Sequence, residues 1–265
     1  MEAGMKKSMI FVVILVFLMF ASFVSAAPIG LSDVINTLEK PFSSETSGSF
    51  GGGTTNLLDF EGDFFQEAEI ATLDQVQRGS GRVMVKYVRR QAGRVPLTMF
   101  RWEYEQPTRQ EFVSDGETLW VYLPENNQVI QSDIEFTTRQ RADDPMTFLT
   151  GMGNLSRDFL ITWAYPNQDV EGNYVLELRP RRSSILIQRM LLVVDRDAVL
   201  AYKNSGSMAE LFPIRSSTVF SPEGNRTIIE FSNIRVNRGL PDSLFRFIMP
   251  AGVDVIRPSG KEMGF

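Results

Sequence analysis

The chain contains no cysteine and no histidine. Without cysteine there is no disulfide, no thiol nucleophile and no thiolate metal site. Without histidine, Ser-His-Asp and Cys-His triads, imidazole metal sites and the usual general base are excluded. A catalyst would have to work with carboxylates, lysine, tyrosine or serine alone. Positive charge is also short: 27 Lys and Arg against 32 Asp and Glu leave a net charge of −5. No basic field gathers phosphate backbones, so nucleic acid is not an expected partner. The expectation is a binding protein rather than an enzyme, with no metal and no cofactor.

What is present suits a large β domain or two small ones. The 265 residues are 43% hydrophobic and 22% charged, enough for a sizeable core. The first residues read as a secretory signal peptide. Lys6-Lys7 precede the apolar run Met9 to Phe23, and Val24-Ser25-Ala26 supplies small residues for cleavage before Ala27. An uncleaved anchor is the alternative, but the run is short for a spanning helix of about 20 residues. Three segments follow from this: 1–26 a signal peptide, 27–56 a helix and loop, 57–265 the β domain. Leu31, Val34, Ile35 and Leu38 lie at helical spacing before Pro41, and predict a short amphipathic helix. Ser43 to Thr55, with Gly51-Gly52-Gly53, reads as a flexible loop.

From Phe60 onward the pattern is almost all strand. Phe60–Ile70 and Arg82–Arg90 come first, joined through Arg78-Gly79-Ser80-Gly81. In Phe100–Tyr122 the aromatics Phe100, Trp102 and Tyr104 alternate with Arg101, Glu103 and Glu105. Gln106-Pro107 breaks this run, and Asp115-Gly116 predicts a hairpin with φ > 0 at both turn positions. The return strand Thr118 to Tyr122 carries Trp120, so two of the chain's 3 Trp fall in this stretch. Val129–Phe136, Asn173–Arg179, Ile185–Val194, Val199–Lys203, Phe212–Phe220 and Thr227–Val236 continue the series, and Leu240 to Phe245 fits one capped helical turn. Leu155 to Trp163 fits helix or strand. About 11 strands with short turns argue a mainly β fold, an antiparallel barrel or curled sheet with helices over one opening. Pro145 to Met152 predicts a short apolar, Met-rich helix among the strands.

Glu103, Glu105, Asp115, Glu117 and Asp143-Asp144 could be combined into a carboxylate-only hydrolase, but their alternation with apolar residues marks solvated faces. Asp195-Arg196-Asp197 reads as a hairpin turn rather than a cation loop. Arg89-Arg90, Arg139, Arg141 and the Arg179 to Arg182 run suit anionic head groups or protected edges. Phe100, Trp102, Trp120, Phe148 and Met152 form either a plain core or an adaptable apolar binding surface.

The signal peptide, FRWEYEQP, VSDGETLWVY, DPMTFLTGMGNL and the closing FRFIMPAGVDVI, in this order and spacing, resemble the periplasmic outer-membrane lipoprotein carrier family (LolA) over roughly Phe60 to Ile256. The resemblance implies a half-open antiparallel β-barrel whose short helices form a lid over an apolar cavity. It implies a monomeric periplasmic carrier of acylated lipoproteins. The cargo is taken from an ATP-driven release complex in the inner membrane and passed to an outer-membrane acceptor. Acyl-chain contact then falls to Phe100, Trp102, Trp120, Met146, Phe148, Leu149 and Met152. The family follows its second strand with Lys-Arg-Pro, whose Arg ties the lid. Here Lys86 matches but Tyr87 takes the Arg position, leaving Arg89, Arg90 and Arg101 as lid-latch candidates. A sensor or scaffold of the same fold, binding a membrane protein or lipid without shuttling, is the competing expectation.

Overall fold

The computed structural model describes residues 28–42, 57–88, 97–133, 155–208 and 210–258. Helix α1 is Leu31–Glu39, α2 is Leu155–Asp158 and α3 is Arg196–Ser205. The strands are β1 Asp59–Ile70, β2 Gln75–Val88, β3 Leu97–Gln106, β4 Gln110–Ser114, β5 Thr118–Leu123 and β6 Gln128–Asp133, then β7 Phe159–Gln168, β8 Tyr174–Pro180, β9 Arg189–Val194, β10 Ile214–Phe220, β11 Arg226–Val236 and β12 Asp254–Ile256. Among the described residues these make one sheet in the order β12-β6-β5-β4-β3-β2-β1-β11-β10-β9-β8-β7. The order has two ends, so the sheet is open among the described residues. All pairings are antiparallel except β12 with β6. The mainly β, curled-sheet architecture expected from the strand count is what forms. The chain's two halves meet where β1 pairs with β11.

One face of this sheet, the inner face, carries the core. Phe60 and Phe64 on β1, Val83, Val85 and Tyr87 on β2, Phe100 and Trp102 on β3 and Leu119 on β5 join Ile161 on β7 in a single apolar cluster. Side chains from near both ends of the sheet share one cluster because the sheet curls around them. Helices α1 and α3 lie against this face through Val34 and Leu38, and through Ala198 and Val199, all fully buried. The N-terminal helix therefore completes the core of the β domain.

Four sequence expectations need correction here. Arg78 to Gly81 does not connect two strands; it lies inside β2, and the turn is at residues 71–74. The glycines are there because β3 runs too close for side chains. A Cβ at Gly81 would sit 1.8 Å from the Glu103 carbonyl oxygen. Val199 to Lys203 is helical rather than extended. The Asp195 carboxylate accepts the Ala198 N–H at 2.8 Å, capping the first turn, and Gly206 closes the helix with φ +70°. Asp195-Arg196-Asp197 is thus a helix start rather than a hairpin turn. The Asp115-Gly116 turn forms, but only Gly116 has positive φ. The Asp115 carboxylate instead accepts the N–H groups of Glu117 and Thr118.

Helix α1 is tied down electrostatically. Lys203 Nζ donates to Asp33 Oδ2 at 2.9 Å and to the Pro28 carbonyl at 3.0 Å. The Lys203 ammonium first, and the Gly30 N–H second, hold the Asp33 carboxyl below its ordinary value of 3.8. A carboxyl depressed in the folded state stabilises at neutral pH and loses that contribution as pH falls through its usual range and below. Protection of the α1 amides against hydrogen exchange, relative to their intrinsic rates at each pH, is therefore expected to fall as pH drops below about 4, and that fall to flatten in Lys203→Met. The same pH slope in both proteins would contradict this.

Candidate functional site

The site is built from register. Trp102 pairs with Phe112, Phe112 with Val121, and Val121 with Ile130. Directly opposed residues share a face, so these four form one row across β3, β4, β5 and β6 on the inner face. Trp102 is 2% exposed, whereas Phe112, Val121 and Ile130 are half-buried. The row thus runs from the packed core outward into a partly open apolar wall. At its buried end Phe64 lies 4.6 Å from Trp102 and 4.8 Å from Tyr104, ring centre to ring centre. Phe231 meets Trp102 edge-on at 6.2 Å. These rings converge because Gly79 and Gly81 leave β2 bare on this face, and a Cβ at Gly79 would come within 3.0 Å of the Tyr104 ring.

One polar atom breaks this apolar wall. Trp102 Nε1 is buried and has no hydrogen-bond partner among the described residues. A buried donor without an acceptor costs about 1–3 kcal/mol, so it suits a site where an acceptor arrives with a ligand.

The opposite, outer face carries a strap. The Asp59 carboxylate, 3% exposed, accepts the N–H groups of Arg238, Gly239 and Leu240 at 2.7, 3.0 and 3.2 Å. Lys86 Nζ holds the Leu240 carbonyl at 2.7 Å and Asp242 at 2.6 Å. Arg101 Nε donates to the Leu244 carbonyl at 2.7 Å, and its Nη1 reaches Glu103 and Glu111, each at 3.1 Å. Phe245 and Leu240 pack on Met84 beneath. The strap ends as β12 beside β6.

The structure divides the residues singled out from the sequence. Phe100 and Trp102 lie together on the inner face. Trp120 pairs with Val113 and falls on the outer face, stacked on Phe247 with ring centres 6.0 Å apart. It does not share a wall with Trp102. Arg101 is likewise on the outer face, where it grips the C-terminal strap rather than anything over the inner face. Tyr87, at the position of the expected Arg, is buried edge-on against Phe42 at 5.3 Å. Burial pushes its phenol up, so it stays neutral where the resemblance calls for a cation. Met146, Phe148, Leu149, Met152, Arg89 and Arg90 lie outside the described residues. Phe64, Phe112, Val121 and Ile130 were not singled out from the sequence. The signal that could have found them is the strand register, through the row it makes with Trp102.

Comparison with known proteins bears on this geometry. The family model described as outer membrane lipoprotein carrier protein LolA matches residues 55–204, more than half of the chain. An outer-membrane lipoprotein carrier protein of Nitrosospira multiformis is 29% identical over 157 residues, covering 59% of this chain and 66% of that one. One from Coxiella burnetii is 29% identical over 183 residues, covering 69% and 72%. The chain thus spans about two thirds of the length of the curated relatives it matches. Among solved structures, a LolA superfamily protein from Nitrosomonas europaea aligns with a TM-score of 0.38 at 14% identity, over 83% of this chain and 99% of that one. A DUF1329 family protein from Desulfovibrio piger aligns with a TM-score of 0.41 at 14% identity, over 72% and 90%.

Proposed function

The chain belongs to the outer membrane lipoprotein carrier (LolA) family, and from that premise we propose that it shields the acyl chains of lipoproteins on the inner face of its curled sheet. The observation that carries this reading is the row Trp102–Phe112–Val121–Ile130, an apolar wall that opens from the core rather than closing on itself. An acyl chain laid along it loses contact with water at about 0.8 kcal/mol per CH₂. The residues proposed to line the site are Phe100, Trp102, Phe112, Val121 and Ile130, with Met146, Phe148, Leu149 and Met152 forming its cover. No bond is made or broken in this role.

The same reading supplies the route. Met1 to Ala26 directs export, and cleavage leaves a periplasmic chain beginning at Ala27. Cargo arrives from an ATP-driven release complex in the inner membrane and leaves to an outer-membrane acceptor. Because acyl burial is strongly favourable, release requires an acceptor that binds the chains better.

Mass spectrometry of the chain isolated under non-denaturing conditions from the envelope of its native cell tests the proposal. The expected result is co-purified acylated protein in a one-to-one complex. Repeated recovery of the chain without acylated cargo, but with a stable membrane-protein partner, would assign it a scaffold role instead.

A further inference from the structure

A second surface stands apart from the inner face, at the end of the sheet where β7, β8 and β9 meet α2. The register pairs Leu160 with Arg179, and both project on the outer face. Leu160 is 50% exposed, although it lies within a strand. The loop from β8 to β9 then carries Arg181, Arg182, Ile185 and Leu186. Its shape is set by Ser184, whose Oγ accepts the N–H groups of Leu186 at 3.1 Å and Ile187 at 2.7 Å. That turn buries Ile187 and leaves Ile185 80% and Leu186 39% exposed. Arg181 pins the loop to α2: its N–H meets the Asp158 carbonyl at 2.9 Å and its Nε the Ser156 carbonyl at 3.0 Å. This brings Arg157 to the same surface.

The charge of this surface runs against that of the chain. Four arginines, 157, 179, 181 and 182, gather within it, while the whole protein carries −5. Asp158 and Glu177 pair with Arg157 and Arg179, and a third carboxylate, Glu39, is engaged by the Ser156 N–H at 2.6 Å. Arg182 is exposed and has no partner among the described residues. A single exposed aliphatic residue needs no explanation. Three of them set among four arginines combine the two terms that bind a headgroup layer. Guanidinium groups meet phosphates, and short aliphatic chains enter the boundary beneath them. Among the described residues the patch has no exposed aromatic anchor of the kind that protein hot spots use.

We propose that this patch docks the protein transiently and in a fixed orientation on anionic phospholipid headgroups at a membrane surface. An acidic protein is repelled by an anionic leaflet, and the patch overcomes that repulsion at one end of the molecule only. The docking uses none of the inner-face residues and stands whether or not acyl cargo is carried.

The test is co-sedimentation of the full mature chain, freed of bound lipid, with phosphatidylcholine vesicles made with and without phosphatidylglycerol. Binding is expected only to the anionic vesicles and is expected to weaken steeply with salt. An Arg179→Glu, Arg182→Glu double variant should bind at least about 25-fold more weakly, about fivefold for each arginine lost. An Ile185→Asn, Leu186→Asn variant, with its charges intact, should also bind more weakly. All these side chains are exposed, so an unchanged near-UV circular dichroism spectrum verifies the fold. No binding at low salt, equal binding to neutral vesicles, or binding unaffected by both variants would each overturn the proposal. Patch-dependent capture of a protein without lipid binding would overturn it as well.

Discussion

Gly81→Ala is expected to destabilise the protein by about 3 kcal/mol or more, the upper range for overpacking a closely fitted site. For a domain of this size that lowers the thermal midpoint by about 6–12 °C. The added methyl would lie 1.8 Å from the Glu103 carbonyl oxygen, 2.9 Å from its carbon and 3.0 Å from the Tyr104 Cα. All three are backbone atoms of β3, so no rotamer change relieves the overlap and the β2–β3 ladder must part. Gly79→Ala should cost less, because its nearest neighbours at 3.0 and 3.1 Å belong to the Tyr104 ring, which can shift. Gly206→Ala provides the scale for backbone strain alone: φ is +70° and nothing lies within 4 Å of the added carbon, so about 1 kcal/mol is expected. Thermal or urea unfolding of the three variants gives the order. A Gly81→Ala protein as stable as wild type would contradict the register of β2 against β3, and with it the convergence of Phe64, Trp102 and Tyr104.

The second large effect falls on binding. Val121→Glu should reduce affinity for a diacylated peptide by about 100-fold or more while leaving the fold intact. The side chain is half-buried in the centre of the inner-face row, so in the empty protein a carboxylate there keeps access to water. An acyl chain laid over it would strip that water without offering a hydrogen bond, a cost of several kcal/mol. Ile130→Glu, one strand further along the row, should act in the same direction. Trp120→Ala removes a much larger apolar side chain, yet it lies on the other face against Phe247 and should leave affinity unchanged. Displacement of a fluorescent fatty-acid analogue measures all three. Equal losses from Val121→Glu and Trp120→Ala would mean that the face assignment is wrong.

Much of the fold was legible because its signals are local. Period-2 alternation marked β1, β3, β5, β8 and β11 within a few residues. Pro107 and Gly116 marked turns, and the helical turn read in Leu240 to Phe245 forms at Asp242–Phe245. The errors share one cause: two local readings were equally good and a distant contact chose between them. Gly79 to Gly81 looks like a connection until β3 is seen lying against it. Val199 to Lys203 alternates well enough for a strand, but Asp195 and Gly206 cap a helix that buries Ala198 and Val199 on the core. β12 is three residues long and parallel to β6, too short to carry any periodic signal.

The site was less legible than the fold because its composition depends on parity. The aromatics of β3 and β5 were visible, but whether Trp102 and Trp120 share a face depends on the length of each intervening turn. A difference of one residue moves every side chain of a strand to the other face. Ser114 pairs with Leu119 across the Asp115 to Thr118 turn, which sets Val121 rather than Trp120 in line with Trp102. Asp59, buried under the strap with three backbone donors, gave no sign in sequence beyond one acid beside an aromatic strand.

The three tryptophans offer the most direct test of the inner-face site. With Trp163 replaced by Phe, and then either Trp120 or Trp102 replaced as well, single-tryptophan proteins report from one face at a time. A diacylated peptide whose acyl chains carry bromine quenches indole fluorescence only on contact. Strong, saturable quenching of Trp102 with Trp120 unaffected is the predicted result. Quenching of Trp120 alone, or of neither at saturating peptide, would contradict an acyl-chain site on the inner face.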